Sequence, residues 1–213
     1  MKELLIDIET LDIDGKTYIW EFCGIDTKTG DIFHLFNKSA LSMAIDSIDN
    51  NVNVNFFGTK QLDYVASSKV VSLECCQFFM ALQRLLGTYK KIAAYNINFD
   101  KGKLENAGLK FNPNTTFICL WGSFVNAMLD KNYIVWCLAN NYKSKTGLPT
   151  TNAETVFKYV TGNTQYIHAH TALSDCLSEL VIYEAIKKKR KKLAHSCTYN
   201  NVQNKIKQLV NFR

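Results

Sequence analysis

Residues 3–9 read ELLIDIE, an apolar run with acidic residues near its end. A short unbroken apolar run is typical of a strand that is covered on both faces. Successive side chains of a strand point to opposite faces, so Asp7 and Glu9 would project to the same face. Two such carboxylates beside a buried strand repel each other and are costly to desolvate, unless a cation lies between them. The run predicts a buried strand and a metal site, with a strand end that simply reaches solvent as the alternative.

The stretches that follow predict an α/β domain. Residues 17–25 and 31–36 are strand-like and flank a turn signal, so with residues 3–9 they would form a meander of three strands. Residues 50–59 are rich in Asn and predict a loop or an irregular strand. Two further strands are predicted at residues 91–96 and 116–120. Helices are predicted at residues 72–88, with Ser72 as the cap, from residue 99 onwards, and at residues 152–161 and 171–190. This order predicts a mixed five-stranded sheet, antiparallel over its first three strands and flanked by helices.

The composition excludes several classes of protein. With 213 residues, 47% of them hydrophobic and 21% charged, the chain is large enough for one domain with a sizeable core. It has no apolar run of about 18 residues and no secretory pattern at its start, so we expect no membrane partner. Its seven cysteines lack paired ligand spacing, which favours reduced thiols over zinc sites or disulfides. We therefore expect a cytoplasmic protein of a bacterium or phage.

A second acidic residue, Asp100, follows the predicted strand at residues 91–96 and stands where the next helix begins. Aspartate is a common helix cap, because its side chain accepts hydrogen bonds from free backbone N–H groups. The same position at the end of a buried strand also suits a metal ligand. The residue alone does not separate these two roles.

A third acidic residue, Asp175, is predicted on the second turn of a helix that begins near Thr171. Leu173, Leu177 and Leu180 would form the buried stripe of this helix. His170, on the preceding loop, could reach the same site as Asp175 and act as a general base near neutral pH. A solvated aspartate and a loop histidine are the alternative.

Three motifs follow one another along the chain: D-x-E-T at residues 7–10, N-x-x-F-D at 96–100 and H-T-A-L-x-D at 170–175. In type, order and spacing they resemble the motifs of the DEDDh 3′–5′ exonucleases. That family includes the proofreading subunit of bacterial DNA polymerase III, ribonuclease T and oligoribonuclease, and its fold is ribonuclease H-like. The resemblance covers residues 1–186, which implies an exonuclease domain followed by a basic C-terminal extension at residues 187–213.

The resemblance also implies a site for two divalent metal ions, Mg²⁺ or Mn²⁺. The carboxylate ligands would be Asp7, Glu9, Asp100 and Asp175. His170 would be the general base that takes a proton from the attacking water. His168 competes for this role, but only His170 stands five residues before Asp175, as the family motif requires.

The implied reaction is hydrolysis of the terminal phosphodiester of single-stranded DNA, with release of nucleoside 5′-monophosphates. RNA 3′-end trimming is the alternative reaction, because acceptance of a 2′-hydroxyl depends on packing around the terminal sugar. A non-catalytic ribonuclease H-like module that only binds nucleic acid is the alternative class. Thr10, Leu11 and Phe99 match positions that contact the 3′-terminal nucleotide in the family, although Phe99 could equally be a core residue. A polymerase or another replication protein is the further partner that the resemblance suggests.

The formal net charge of +6 equals the charge of one run of six basic residues, so the rest of the chain is formally neutral. The run is predicted to extend the last long helix and consists of Lys187, Lys188, Lys189, Arg190, Lys191 and Lys192. It would bind the nucleic-acid backbone in a salt-dependent way. A solvated helix end, where cations favour the helix dipole, is the alternative.

Overall fold

A computed structural model of the chain describes residues 2–13, 16–49, 64–67 and 70–211. The predicted loop or irregular strand at residues 50–59 lies outside these ranges. The described residues form a mixed sheet flanked by helices, which confirms the α/β class. The strands are β1 (Glu3–Ile13), β2 (Lys16–Asp26), β3 (Ile32–Asn37), β4 (Val71–Leu73), β5 (Lys91–Ala94) and β6 (Thr116–Cys119).

The strands lie in the order β4-β3-β2-β1-β5-β6. The predicted antiparallel meander of β1, β2 and β3 is confirmed. β5 pairs with β1 in parallel and β6 pairs with β5 in parallel, so the carboxyl ends of β5 and β6 lie beside the middle of β1, which continues to Ile13. The acidic motifs of the sequence come together at this point.

The predicted number of five strands is wrong, because the described residues form a sheet of six. The additional strand is β4, which pairs in parallel with β3. Ser72, predicted as a helix cap, lies inside this strand, and the helix begins at Cys75 with Glu74 at the cap position. Three residues are too few to show a periodic pattern, so β4 is visible only through its pairing with a distant strand.

The helices are α1 (Lys38–Asp49), α2 (Cys75–Thr88), α3 (Ile97–Asn106), α4 (Leu120–Ala127), α5 (Lys131–Ala139), α6 (Ala153–Thr161), α7 (Ala172–Lys188) and α8 (Tyr199–Asn211). The sequence patterns predict no helix at α1, α4 or α5. Asn152 caps α6 as predicted, because its side chain accepts a hydrogen bond from the N–H of Thr155 at 3.0 Å. Within the described ranges, we find no helix that combines the length and the apolar character that a bilayer crossing requires.

β1 is buried on both faces, as its sequence predicts. On one face, Leu4 and Ile6 belong to a core cluster with Phe78 of α2. On the other face, Leu5 packs in a cluster with Tyr183 of α7. Because side chains alternate along a strand, Asp7 follows Leu5 on the face that α7 covers.

α7 presents a partly polar face to the sheet, which corrects the predicted leucine stripe. Leu177 is 45% exposed, whereas Asp175 and Glu179 are buried. The residues on the buried face recur at spacings of three and four along the helix and include Ala172, Asp175, Cys176, Glu179, Ile182, Tyr183 and Ile186. The leucine pattern misplaced the face because two of the residues that α7 turns toward the sheet are acidic.

The C-terminal residues pack against the rest of the chain. Ala194 forms an isolated bridge with Cys119 at the end of β6. A Cβ added at Gly122 would lie 2.9 Å from the Cβ of Ala194 and the carbonyl oxygen of Ser196, so only glycine permits this close approach. Val202 and Ile206 of α8 are fully buried in a cluster that contains residues of α4, α5 and α7. The C-terminal segment therefore shares a hydrophobic core with the helices before it.

Candidate metal centre

Three predicted ligands meet beside the middle of β1, just past the residues that pair with β5. Asp7, Glu9 and Asp175 each place one carboxylate oxygen within 4.8 Å of the others. Asp7 is on the β1 face that α7 covers, and Asp175 lies on the buried face of that helix. The register between β1 and β2 shifts between Glu9 and Thr10, and such bulges are common beside functional sites. The strand alternation predicted for Asp7 and Glu9 thus brings both to the first turns of α7.

Asp100 lies in the first turn of α3 and is buried. Asn96, not Asp100, occupies the cap position of this helix, so the alternative role of Asp100 as the cap is wrong. Its oxygens are not part of the mutually close group formed by Asp7, Glu9 and Asp175. Its charge nevertheless raises the pKa of both Asp7 and Glu9, which places it at the same cluster.

The cluster is an unbalanced set of negative charges. Burial, followed by the charges of Glu179 and Asp100, raises the pKa of Asp7 well above its ordinary range. Burial also raises the pKa of Glu9 to about 8, with Asp175 and Glu21 adding to the shift. The pKa of Asp100 rises to about 7, mainly because this carboxyl is buried. Since every charge that shifts Asp7 is negative, a hard divalent cation among these oxygens would remove the repulsion.

Glu179 is a fifth buried carboxylate at this cluster, and the sequence analysis missed it. One of its oxygens accepts a hydrogen bond from the N–H of Tyr95 at 3.1 Å. Burial and the charges of Asp100 and Asp175 raise its pKa well above the ordinary range. The available signal was its spacing, because a residue four positions after Asp175 lies on the same face of a helix.

Glu21 is a further carboxylate that the sequence analysis missed. It stands opposite Glu9 in the β1–β2 pairing and is fully buried. Its carboxylate contacts the His34 ring nitrogen at 2.7 Å, the Tyr64 hydroxyl at 2.9 Å and the Ala172 N–H at 3.0 Å. Glu21 therefore ties the sheet to the first residue of α7. No local pattern marks this contact, because Glu21 and Ala172 are 151 residues apart in the chain.

His170 of the third motif and His168, two residues before it, both lie beside Asp175. Nε2 of His168 is 2.8 Å from Oδ1 of Asp175, close enough for an ion pair but not aligned for a hydrogen bond. The Nδ1 atoms of His168 and His170 are 3.1 Å apart. His170 is exposed and has a left-handed backbone with φ of 53°. The choice of His170 as the base depends on its spacing to Asp175, since His168 makes the shorter contact.

The predicted nucleotide contacts differ in accessibility. Phe99 is 47% exposed, and the Nζ atom of Lys103 lies over its ring, 5.5 Å from the ring centroid. Thr10 is half-buried at the bulge of β1. Leu11 is buried in a cluster with Trp20, so a nucleotide could reach it only through its main chain.

The basic run lies at the opposite end of α7 from the acidic cluster. α7 ends at Lys188, and Arg190 has a left-handed φ of 52°, so the prediction that the whole run extends the helix is wrong. The helix rises 1.5 Å per residue, which places Lys187 about 18 Å along the axis from Asp175. The fold therefore does not bring the basic run to the predicted metal ligands.

No protein-family model matches the chain, and no curated protein is similar to it. Carboxylate oxygens in a group this close are the ligands that Mg²⁺ and Mn²⁺ prefer. Two histidines at the edge of the group could accept a proton from a water bound there.

Proposed function

We propose that the chain is a metal-dependent 3′–5′ exonuclease that hydrolyses the terminal phosphodiester of single-stranded DNA. The observation that carries the proposal is the convergence of Asp7, Glu9 and Asp175, whose oxygens lie within 4.8 Å of one another beside two histidines. These residues come from motifs at opposite ends of the chain. The same residue types in the same order define the family that the sequence resembles.

Asp7, Glu9, Asp100 and Asp175 would hold two divalent ions. Bound ions of this kind lower the pKa of the attacking water and stabilise the negative charge on the leaving 3′ oxygen. His170, on the exposed loop before α7, would take the proton of that water. The water oxygen bonds to phosphorus, the bond from phosphorus to the 3′ oxygen breaks, and the 3′ oxygen is protonated. The products are a nucleoside 5′-monophosphate and a strand that is one nucleotide shorter.

The proposal is tested with labelled single-stranded DNA, duplex DNA and RNA, each incubated with Mg²⁺, Mn²⁺ or EDTA. We expect mononucleotide release from single-stranded DNA in the presence of metal and none in EDTA. Faster release from RNA would support the same reaction with RNA 3′ ends as the substrate. Metal-dependent binding without release from any substrate would favour the non-catalytic module instead.

The key variant is Asp7→Asn, which keeps the shape of the side chain and removes its charge. We expect it to reduce nucleotide release to background, because Asp7 lies at the centre of the carboxylate group. The matched control is Glu184→Gln on α7, where the half-exposed carboxylate pairs with Lys187. Wild-type activity in Asp7→Asn, or equal loss in the control, would contradict the proposed site.

A further inference from the structure

A polar pocket of about 380 Å³ lies between the start of β2 and the C-terminal half of α3. It contains two lysines, Lys16 and Lys103, and no acidic residue among the described residues lines it. The other lining residues include Thr17, Tyr18, Ile19 and Asn106. We call it the Lys16–Lys103 pocket. These lysines are positively charged, whereas the cluster at the other end of α3 is acidic.

Lys103 is held in place by two contacts. Its Nζ lies 3.0 Å from the Thr17 hydroxyl and 5.5 Å from the centre of the Phe99 ring. The carboxylate of Asp12 reaches this lysine only through the hydroxyl of Thr17. Within the described part of the chain, neither Lys16 nor Lys103 forms an ion pair with a carboxylate. Two positive charges thus line this pocket, and the Asp12 carboxylate lies beside one of them.

The pocket adjoins the proposed catalytic site through α3. Lys103 follows Asp100 by three residues, which is about 4.5 Å along the helix axis. It also follows Phe99 by four residues, so both side chains lie on the same side of the helix. If a DNA strand places its terminal phosphodiester at Asp100 and its last nucleotide near Phe99, its next phosphates lie close to Lys103. The basic run at Lys187, about 18 Å along α7 from Asp175, is too distant to contact those phosphates.

We propose that the Lys16–Lys103 pocket binds the backbone phosphate of the substrate strand on the 5′ side of the scissile bond. The proposal rests on the proposed exonuclease function and adds to it a second contact with the strand. The two ammonium groups would donate to the phosphate oxygens, while the Thr17 hydroxyl accepts from Lys103 and donates to Asp12. Such contacts position a strand without selecting its sequence. The lysines would supply point charges that tolerate any nucleotide geometry.

The first test measures the binding of 5′-fluorescein oligothymidylate by anisotropy at several salt concentrations, with Ca²⁺ as the divalent ion. Each lost phosphate contact lowers the slope of log affinity against log salt by about 0.7 for a single strand. The double variant Lys16→Gln, Lys103→Gln should therefore lower the slope by about 1.4. The matched control is Lys28→Gln, Lys90→Gln, which removes the same charge from exposed positions at the amino end of β1 and β5. The control should keep the wild-type slope.

The second test uses thymidine 5′-(4-nitrophenyl phosphate), which carries no phosphate on the 5′ side of the bond that breaks. The pocket variant should hydrolyse this ester with wild-type kcat/KM, while its KM for the oligonucleotide rises several-fold. An unchanged salt slope in the pocket variant, or an equal fall in the control, would overturn the pocket proposal. Failure of the wild-type protein to hydrolyse either substrate would instead contradict the exonuclease function.

Discussion

His168 and His170 stand on either side of Ala169 in the loop before α7, and both rings lie near Asp175. The two rings differ in their burial and in their contacts. His168 is half-buried and touches the Asp175 carboxylate, whereas His170 is exposed and touches His168. A general base must meet the attacking water, which a side chain on the exposed side of the cluster can do. A histidine that pairs with a ligand carboxylate instead orients that ligand.

We predict that His170→Ala slows turnover by about 10²–10⁴-fold while leaving metal affinity nearly unchanged. The reason is that His170 supplies the base and no ligand atom to the proposed ions. His168→Ala should act more weakly on turnover and should shift metal affinity, because it frees Asp175. Single-turnover rates and Mn²⁺ titration of each variant check both statements. A larger loss of rate in His168→Ala would assign the base to His168.

The element that organises the site is α7, and its position depends on polar contacts as well as on packing. Thr171 caps the helix by accepting a hydrogen bond from Ser174 N–H at 3.2 Å. The next residue, Ala172, donates its N–H to Glu21 at 3.0 Å. Glu21 also binds groups on β3 and in residues 64–67. The start of α7, and with it the histidine loop, is therefore fixed to the centre of the sheet.

We predict that Glu21→Leu destabilises the protein by about 3 kcal/mol or more, since it leaves several buried donors without an acceptor. Glu21→Gln keeps an acceptor for Ala172 and should cost less. Glu184→Ala, at an exposed position of α7, should change the free energy of unfolding by less than about 0.5 kcal/mol. Urea unfolding of the three variants measures these differences. Equal stability of Glu21→Leu and wild type would show that Glu21 does not anchor α7.

The whole molecule concentrates negative charge where the central strands β1 and β2 meet α3 and α7. Asp7, Glu9, Asp100, Glu179 and Glu21 come from four different elements and meet there. Without a cation, folding brings these carboxyls next to one another with less water around them. The folded chain therefore favours the protonated forms of Asp7, Glu9, Asp100 and Glu179, whose pKa values are raised. Metal binding requires the ionised forms, so metal and protons compete for the same residues.

This competition predicts how stability depends on pH. Glu9 has a pKa of about 8 in the folded chain against an ordinary value of 4.5, so the folded state binds more protons than the unfolded state across this window. The stabilisation is present below the ordinary value and is lost as pH rises toward 8. In EDTA, the melting temperature should fall by about 4 °C or more between pH 6 and pH 8.5, since each kcal/mol shifts it about 2–4 °C.

Saturating Mg²⁺ should remove or reverse this fall, because the ion binds the carboxylates that high pH ionises. Thermal unfolding scans at both pH values, with EDTA and with Mg²⁺, make the comparison. Glu9→Gln should reduce the pH dependence in EDTA, while Glu184→Gln should leave it as in the wild type. An identical pH dependence with and without Mg²⁺ would show that the cluster holds no ion.

The sequence by itself determined the parts of the fold and site that depend on local pattern. The apolar run at residues 3–9 specifies a buried strand, and alternation along it places Asp7 and Glu9 on one face. The antiparallel meander and the cap of α6 at Asn152 also follow from local signals. These predictions hold because the periodicity of a strand and the capping of a helix depend on residues that are close in the chain.

Only the tertiary structure decided which residues complete the site. Glu21 reaches Ala172 across 151 residues, and β4 exists through its pairing with β3. The buried face of α7 carries Asp175 and Glu179 instead of Leu177, because Asp7 of β1 and Glu21 of β2 lie on the sheet face beneath it. The Lys16–Lys103 pocket likewise forms where α3 meets the start of β2. Each of these features depends on contacts between distant segments, whose energies no local pattern records.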